Sequence, residues 1–226
     1  MALEPRFKAV AFDMDGTFMR TEIDYVKLSN VIFDELIEIG VPMYAINRSG
    51  GSKAELESGI AWLEQHGRRK DAESIRRRIS GRSTSVEMEY AERSRPFDGA
   101  EEAVRKLRGK GYKTAILTRG GHSYAEFILK RSNVLELFDA VVARDDFPDE
   151  EAKPSPKAMV NLGNILGLRP EEILFLGDSI MDWLTARDSG AGFYGVLTGG
   201  NDADDWKNAD PNIKMLKSVA SLLEMI

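Results

Sequence analysis

Read as apolar and polar positions, the chain changes character twice. Residues 7–12 (FKAVAF) form a short apolar run that stops at acidic residues and Gly16, the pattern of a buried strand. From Thr21 to about Arg93, apolar residues recur instead at near-helical spacing, as in Val26, Leu28, Ile32, Phe33, Leu36 and Ile37. Ser52 and Glu55 stand at capping-box spacing and predict a helix running to about His66, with two further helical stretches around 68–80 and 83–94. No convincing strand interrupts this block. After Pro96 helices and strands alternate. Helix 99–110 ends at Gly111 and leads to the strand YKTAILT (112–118); helix 122–131 leads to AVVA (140–143). Helix 155–166 ends at Gly167 and leads to ILFLGD (173–178); helix 180–188 ends at Gly190 and leads to GFYGVLT (192–198). Residues 214–225 are predicted to close the chain as a helix.

Strands alternating with helices of this length predict an α/β fold, a doubly wound parallel (Rossmann-like) sheet with an inserted all-helical domain. The α/β core domain is expected at 1–20 and 94–226, and the insert at 21–93.

Composition narrows the class. The 226 residues are 42% apolar, enough for a core and too many for a disordered chain. There is no cysteine, which excludes disulfides, thiolate zinc sites and a cysteine nucleophile. The opening MALEPRFKAV lacks the apolar stretch of a signal peptide, and no run approaches the ~18 apolar residues of a membrane-spanning helix. A soluble, cytoplasmic protein without membrane association is therefore expected. The net charge of −6 argues against general nucleic-acid binding. One stretch runs against it: in 68–82, Arg68, Arg69, Lys70, Arg76, Arg77, Arg78 and Arg82 face only Asp71 and Glu73. Such runs are mostly solvated helix faces, and attraction of an anionic substrate or of a polyanion is the sharper alternative.

The chemistry gathers at strand ends, where open α/β sheets place their sites. The first strand ends in Asp13-Met14-Asp15-Gly16-Thr17; carboxylates two apart on an extended segment point the same way. The second ends at Thr118, whose hydroxyl can donate to an anion. ILFLGD ends at Asp178, and Asp182 follows one turn into the next helix, where it is either a site acid or a favourable first-turn acid. Lys153, in Lys-Pro-Ser-Pro, precedes the helix between the last two of these strands. Four carboxylates then converge with Lys153 as the only obvious cation among them. They would repel an anionic substrate and resist ionising together. A hard divalent cation resolves this, and Mg²⁺, held by one or two carboxylates with substrate phosphate and water, fits best. The two histidines, His66 and His122, offer no zinc alternative.

These motifs resemble those of the haloacid dehalogenase-like phosphohydrolase superfamily, in its phosphoglycolate phosphatase-like branch with a helical cap inserted after the first motif. Asp13-Met-Asp-Gly-Thr17 resembles motif I, Thr118 motif II, Lys153-Pro-Ser-Pro156 motif III and Gly177-Asp-Ser-Ile-Met-Asp182 motif IV, in the family's order and over nearly the whole chain. The resemblance implies Asp13 as nucleophile and Asp15 as general acid and base. It implies Thr118 and Lys153 at the substrate phosphate; Arg119, next to Thr118, departs from the Asn that branch often has and is a further candidate there. It implies Mg²⁺ at Asp13, the Asp15 backbone carbonyl and Asp178, with Asp182 supporting bound water. An acid at Asp15 argues against carbon–halogen hydrolysis. The expected activity is hydrolysis of a small phosphometabolite, phosphoglycolate or a sugar phosphate, by a monomer or homodimer without nucleic-acid partners. The rival on the same scaffold is a phosphotransferase or mutase of the β-phosphoglucomutase type.

Arg48, ahead of Gly50-Gly51 in a loop of the insert, is a candidate substrate contact. His122 reads as a surface histidine. Gly190-Ala-Gly192-Phe-Tyr-Gly195 matches a dinucleotide-binding pattern formally, but it follows a helix and opens a strand, the reverse of what that site needs.

Overall fold

A computed structural model describes residues 2–226. In chain order the strands are β1 (Ala9–Phe12), β2 (Met19–Arg20), β3 (Arg95–Pro96), β4 (Lys113–Leu117), β5 (Ala140–Val142), β6 (Ile173–Gly177), β7 (Gly192–Val196) and β8 (Lys214–Leu216). The helices are α1 (Tyr25–Glu38), α2 (Gly51–Gln65), α3 (Arg69–Met88), α4 (Ala100–Gly109), α5 (His122–Arg131), α6 (Pro156–Leu166), α7 (Ile180–Ser189) and α8 (Ala203–Ala209). The chain divides into two units. One holds the chain up to Thr21 together with Ala91–Ile226; the other is Glu22–Tyr90.

The first unit is a six-stranded sheet in the order β5-β4-β1-β6-β7-β8, parallel throughout. The connections leave β1 toward β4 and β5 on one side, and toward β6, β7 and β8 on the other. The order therefore reverses at β1, and a crevice opens beyond its carboxyl end. β1 and β6 are buried along their full length because helices cover both faces. Ala9, Ala11, Leu117, Ile173 and Phe175 pack with Ala158, Met159 and Leu162 of α6 and Ala186 of α7. The alternate residues Val10, Phe12 and Ile116 turn to the opposite face, where α4 lies against β4. Pro156 sits at the start of α6, and Gly167 and Gly190 end α6 and α7 in the left-handed conformation.

The second unit consists, among the described residues, of α1, α2, α3 and short 3-10 turns. Its core joins Ile32, Leu36, Leu56, Ile60, Leu63, Ile75 and Ile79.

Three local expectations are corrected, and two elements go beyond them. In place of two helical stretches at 68–80 and 83–94 there is one helix, α3, ending at Met88, because Ala72, Ile75, Ile79, Ser83 and Val86 carry one buried stripe through Gly81; Ala91–Arg93 is a 3-10 turn. Ser52 and Glu55 make no capping box: α2 begins behind Gly50 without a side-chain cap, and Glu55 turns inward to accept from Ser29. The closing helix at 214–225 is instead the edge strand β8 followed by a 3-10 segment, Val219–Glu224; Lys214–Leu216 pair in register with Tyr194–Val196. The helix α8, capped by Asp202 with Asp205, and the antiparallel pair β2–β3 were not foreseen.

Candidate active site

The turn after β1 carries the first two carboxylates. Asp13 continues the strand pairing, its N–H donating to Leu176 O at 2.8 Å, so the position of its side chain is inherited from the centre of the sheet. Gly16 has φ +83, and a Cβ there would lie 2.7 Å from Asp178 Oδ2; only glycine meets both conditions without strain. Asp178, directly beyond β6, accepts the Thr17 hydroxyl on Oδ1 at 2.9 Å and the Gly200 N–H on Oδ2 at 2.8 Å. The loop 198–201 closes the arrangement, Thr198 donating to Gly16 O at 2.6 Å.

Asp182 does two things at once. Its Oδ2 accepts from Ser179 N (3.1 Å) and Ser179 Oγ (2.7 Å), a capping box that starts α7. Its Oδ1 lies 2.5 Å from Lys153 Nζ. The acid that caps α7 and the acid that meets Lys153 are thus the same residue. Lys153, 2% exposed, also donates to Asp13 Oδ1 and has its ammonium over the Phe175 ring at 5.5 Å. Burial alone would drive this lysine's pKa down, but the Asp13 and Asp182 carboxylates hold it above the ordinary lysine value.

The acids respond in the opposite sense. Burial pushes the Asp13 carboxyl well above the ordinary range, and Asp182, Asp178 and Asp15 push it further, with Lys153 only partly offsetting them. Asp178 is raised by burial and by Asp182, against the Gly200 and Thr17 hydrogen bonds. Carboxylate oxygens of Asp13, Asp178 and Asp182 all lie within 4.8 Å of one another. Three buried hard-oxygen donors with one ammonium between them form the donor set a divalent cation such as Mg²⁺ takes, and the excess negative charge is what such an ion would neutralise.

Asp15 is half-buried and accepts the Tyr124 hydroxyl on Oδ1 at 2.8 Å. Thr118 is buried just beyond β4, and its Oγ accepts the Gly120 N–H at 2.9 Å. Arg119 is next to it; its guanidinium lies 3.5 Å from Asp149 Oδ1, and its carbonyl accepts from the buried Arg144 at 2.7 Å. His122 pairs with Asp146. In the helical unit, Arg48 donates to Asn30 Oδ1 at 2.9 Å, lies 3.3 Å from Glu55 Oε1 and covers the Phe33 ring at 4.3 Å.

The structure therefore brings Asp13, Lys153, Asp178 and Asp182 into one buried cluster. Thr17 and Gly200 support it through Asp178, and Tyr124 bonds to Asp15 beside it; all three were missed. Thr17 lay inside the motif already noted, so its proximity to Asp178 was open to inference. Tyr124 reads in sequence as part of an apolar helix face with Ala125, Ile128 and Leu129, and nothing local marks its bond to a residue 109 positions away.

Over most of its length the chain is similar to proteins named as phosphatases. A phosphoglycolate phosphatase from Nitrosospira multiformis is 27% identical over 198 residues, covering 88% of this chain and 86% of the relative. An N-acetylmuramic acid 6-phosphate phosphatase from Pseudomonas aeruginosa is 27% identical over 190 residues, covering 82% and 79%. The solved structure of a hydrolase from Pseudomonas syringae superposes with a TM-score of 0.68 at 22% identity, covering 96% of each chain. No helix among the described residues is long and apolar enough to cross a membrane. The family model for haloacid dehalogenase-like hydrolases matches residues 7–190, and the chain belongs to that family.

Proposed function

We propose that this protein is a Mg²⁺-dependent phosphomonoester hydrolase acting on a small phosphometabolite through an aspartyl-phosphate at Asp13. The observation that carries this reading is the buried cluster itself: Lys153 held between Asp13 and Asp182, with Asp178 within ligand distance, at the point where the strand order reverses.

Asp13 attacks phosphorus with a carboxylate oxygen, and the bond from phosphorus to the ester oxygen breaks. Asp15 delivers a proton to that departing oxygen. It then takes a proton from the water that attacks phosphorus, and the bond between phosphorus and the Asp13 oxygen breaks to release inorganic phosphate. Thr118, Arg119 and Lys153 hold the phosphoryl oxygens, and Lys153 keeps Asp13 oriented. Asp13, the Asp15 backbone carbonyl and Asp178 would hold Mg²⁺, with Asp182 behind them. The ion supplies positive charge against the phosphoryl oxygens and lets the nucleophile remain ionised. The relatives' substrates, a phosphoglycolate and an amino-sugar phosphate, support small phosphorylated acids and sugars as the class. Arg48 is assigned to substrate selection from the helical unit.

The basic stretch 68–82 is read as a paired helix face. Arg78 and Arg82 both bond to Glu35, and Arg68 bonds to Asp71 and the Ile39 carbonyl.

A panel of phosphometabolites assayed for phosphate release with Mg²⁺ tests the function. Free phosphate appearing stoichiometrically with substrate loss, and ceasing in excess chelator, is expected. Phosphate transferred to a second sugar hydroxyl without release identifies the mutase instead. Activity undiminished by chelator contradicts the metal.

A further inference from the structure

We propose that Tyr124 is a positioning residue for Asp15, holding the general acid at the orientation in which it meets the departing oxygen; the inference rests on the hydrolase reading above. The two residues are far apart in sequence, and their contact joins the turn after β1 to the first turn of α5. The Tyr124 hydroxyl donates to Asp15 Oδ1 at 2.8 Å. The tyrosine is 1% exposed, so its ring has no other place to go, and it delivers its hydroxyl to a carboxyl that is only half-buried. The ring is set by its surroundings. A Cβ on Gly120 would come within 3.0 Å of Tyr124 Cδ1 and 3.3 Å of Thr118 Oγ, so the glycine lets the ring and the Thr118 loop close together. The start of α5 is tied in turn to the loop after β5, His122 N donating to Asp145 Oδ1 at 2.8 Å. A hydrogen bond to Oδ1 from so rigid a donor fixes the plane of the Asp15 carboxyl and the direction in which Oδ2 points. A buried tyrosine hydroxyl also needs an acceptor simply to remain buried. The two roles differ in what they do to catalysis, because only a misaligned acid makes rate depend more steeply on the leaving group.

The test compares Tyr124→Phe with wild type on two esters in the presence of Mg²⁺. From phosphoglycolate the glycolate oxygen would depart as an alkoxide and needs the proton; from p-nitrophenyl phosphate a stable phenolate departs and does not. The quantity read is kcat/KM, which reports the phosphoryl-transfer step. Tyr124→Phe is expected to lose about tenfold on phosphoglycolate and less than about threefold on p-nitrophenyl phosphate, within the range that misplaced acid catalysis commands. Introduced into Asp15→Asn, the same change is expected to cost nothing further. Equal losses on the two esters, or losses that multiply with those of Asp15→Asn, would overturn the positioning role while leaving the hydrolase reading intact. Wild-type protein that releases phosphate from neither ester overturns both.

Discussion

Glu35 of the helical unit is 2% exposed and carries two arginines, Arg78 and Arg82, while Asp13, Asp178 and Asp182 of the α/β unit are comparably buried around one lysine. Glu55, at 0% exposure, likewise meets the Ser29 hydroxyl and Arg48. Glu35 and Glu55 are thus both met by cations, and these charges tie α1 to α3 and the 3-10 turn at Arg48 to α2. In the α/β unit the count is deliberately short of balance, since Asp13 and Asp178 are both raised above the ordinary carboxylate range. A buried excess of negative charge weakens a fold on its own and is retained where an external cation and a substrate complete it. The same residue types therefore make a brace in one unit and the proposed reactive centre in the other.

The largest effect should follow from removing the cation of the centre. Lys153→Met leaves Asp13 and Asp182 facing one another, and phosphate release is expected to fall about a thousandfold, as when a charge-stabilising group is lost. Stability should then separate the two units by sign. Arg78→Met combined with Arg82→Met strands Glu35 and is expected to lower Tm by several degrees with kcat preserved. Asp178→Asn is expected to raise the Tm of chelator-treated protein, by 2–4 °C for about 1 kcal/mol in a chain of this length. The same change should abolish the further rise that MgCl₂ gives wild type. A drop in Tm for Asp178→Asn without metal would break the comparison.

The pH dependence sharpens it. A carboxyl whose pKa is higher in the folded than in the unfolded protein binds its proton more tightly when folded. Its contribution to stability is then complete below the ordinary value of 3.8 and is lost as pH rises through the folded value. Metal-free wild type should therefore lose stability relative to Asp13→Asn as pH rises from about 4 toward neutrality, the two converging at the acid end. Thermal unfolding across pH in chelator measures this. The smallest effect belongs to Arg48→Ala, expected to raise KM for the preferred phosphometabolite about threefold with little change in kcat. A lowered Tm with KM unchanged would make Arg48 purely a partner of Glu55.

Much of this was legible in the chain because β1 and β6 are unbroken apolar runs that stop abruptly at Asp13 and Asp178. Apolar runs of that kind announce strands buried on both faces, and their ends announce the site. The glycines at 167 and 190 likewise marked helix ends correctly. What failed was where tertiary pairing overrode local spacing. The segment 214–225 has helical periodicity, but Lys214–Leu216 find an open sheet edge at β7 and bond there. Glu55 had capping spacing but was drawn inward by Ser29 and Arg48. The bond between Tyr124 and Asp15, and the support of Asp178 by Gly200, arise only when distant loops meet, and no window of sequence contains them.

In the proposed mechanism Asp13 itself receives the phosphoryl group. Asp13→Asn, verified as folded by its thermal transition, should release no phosphate from a phosphomonoester that wild type hydrolyses with Mg²⁺. Substantial turnover by that variant would contradict the account.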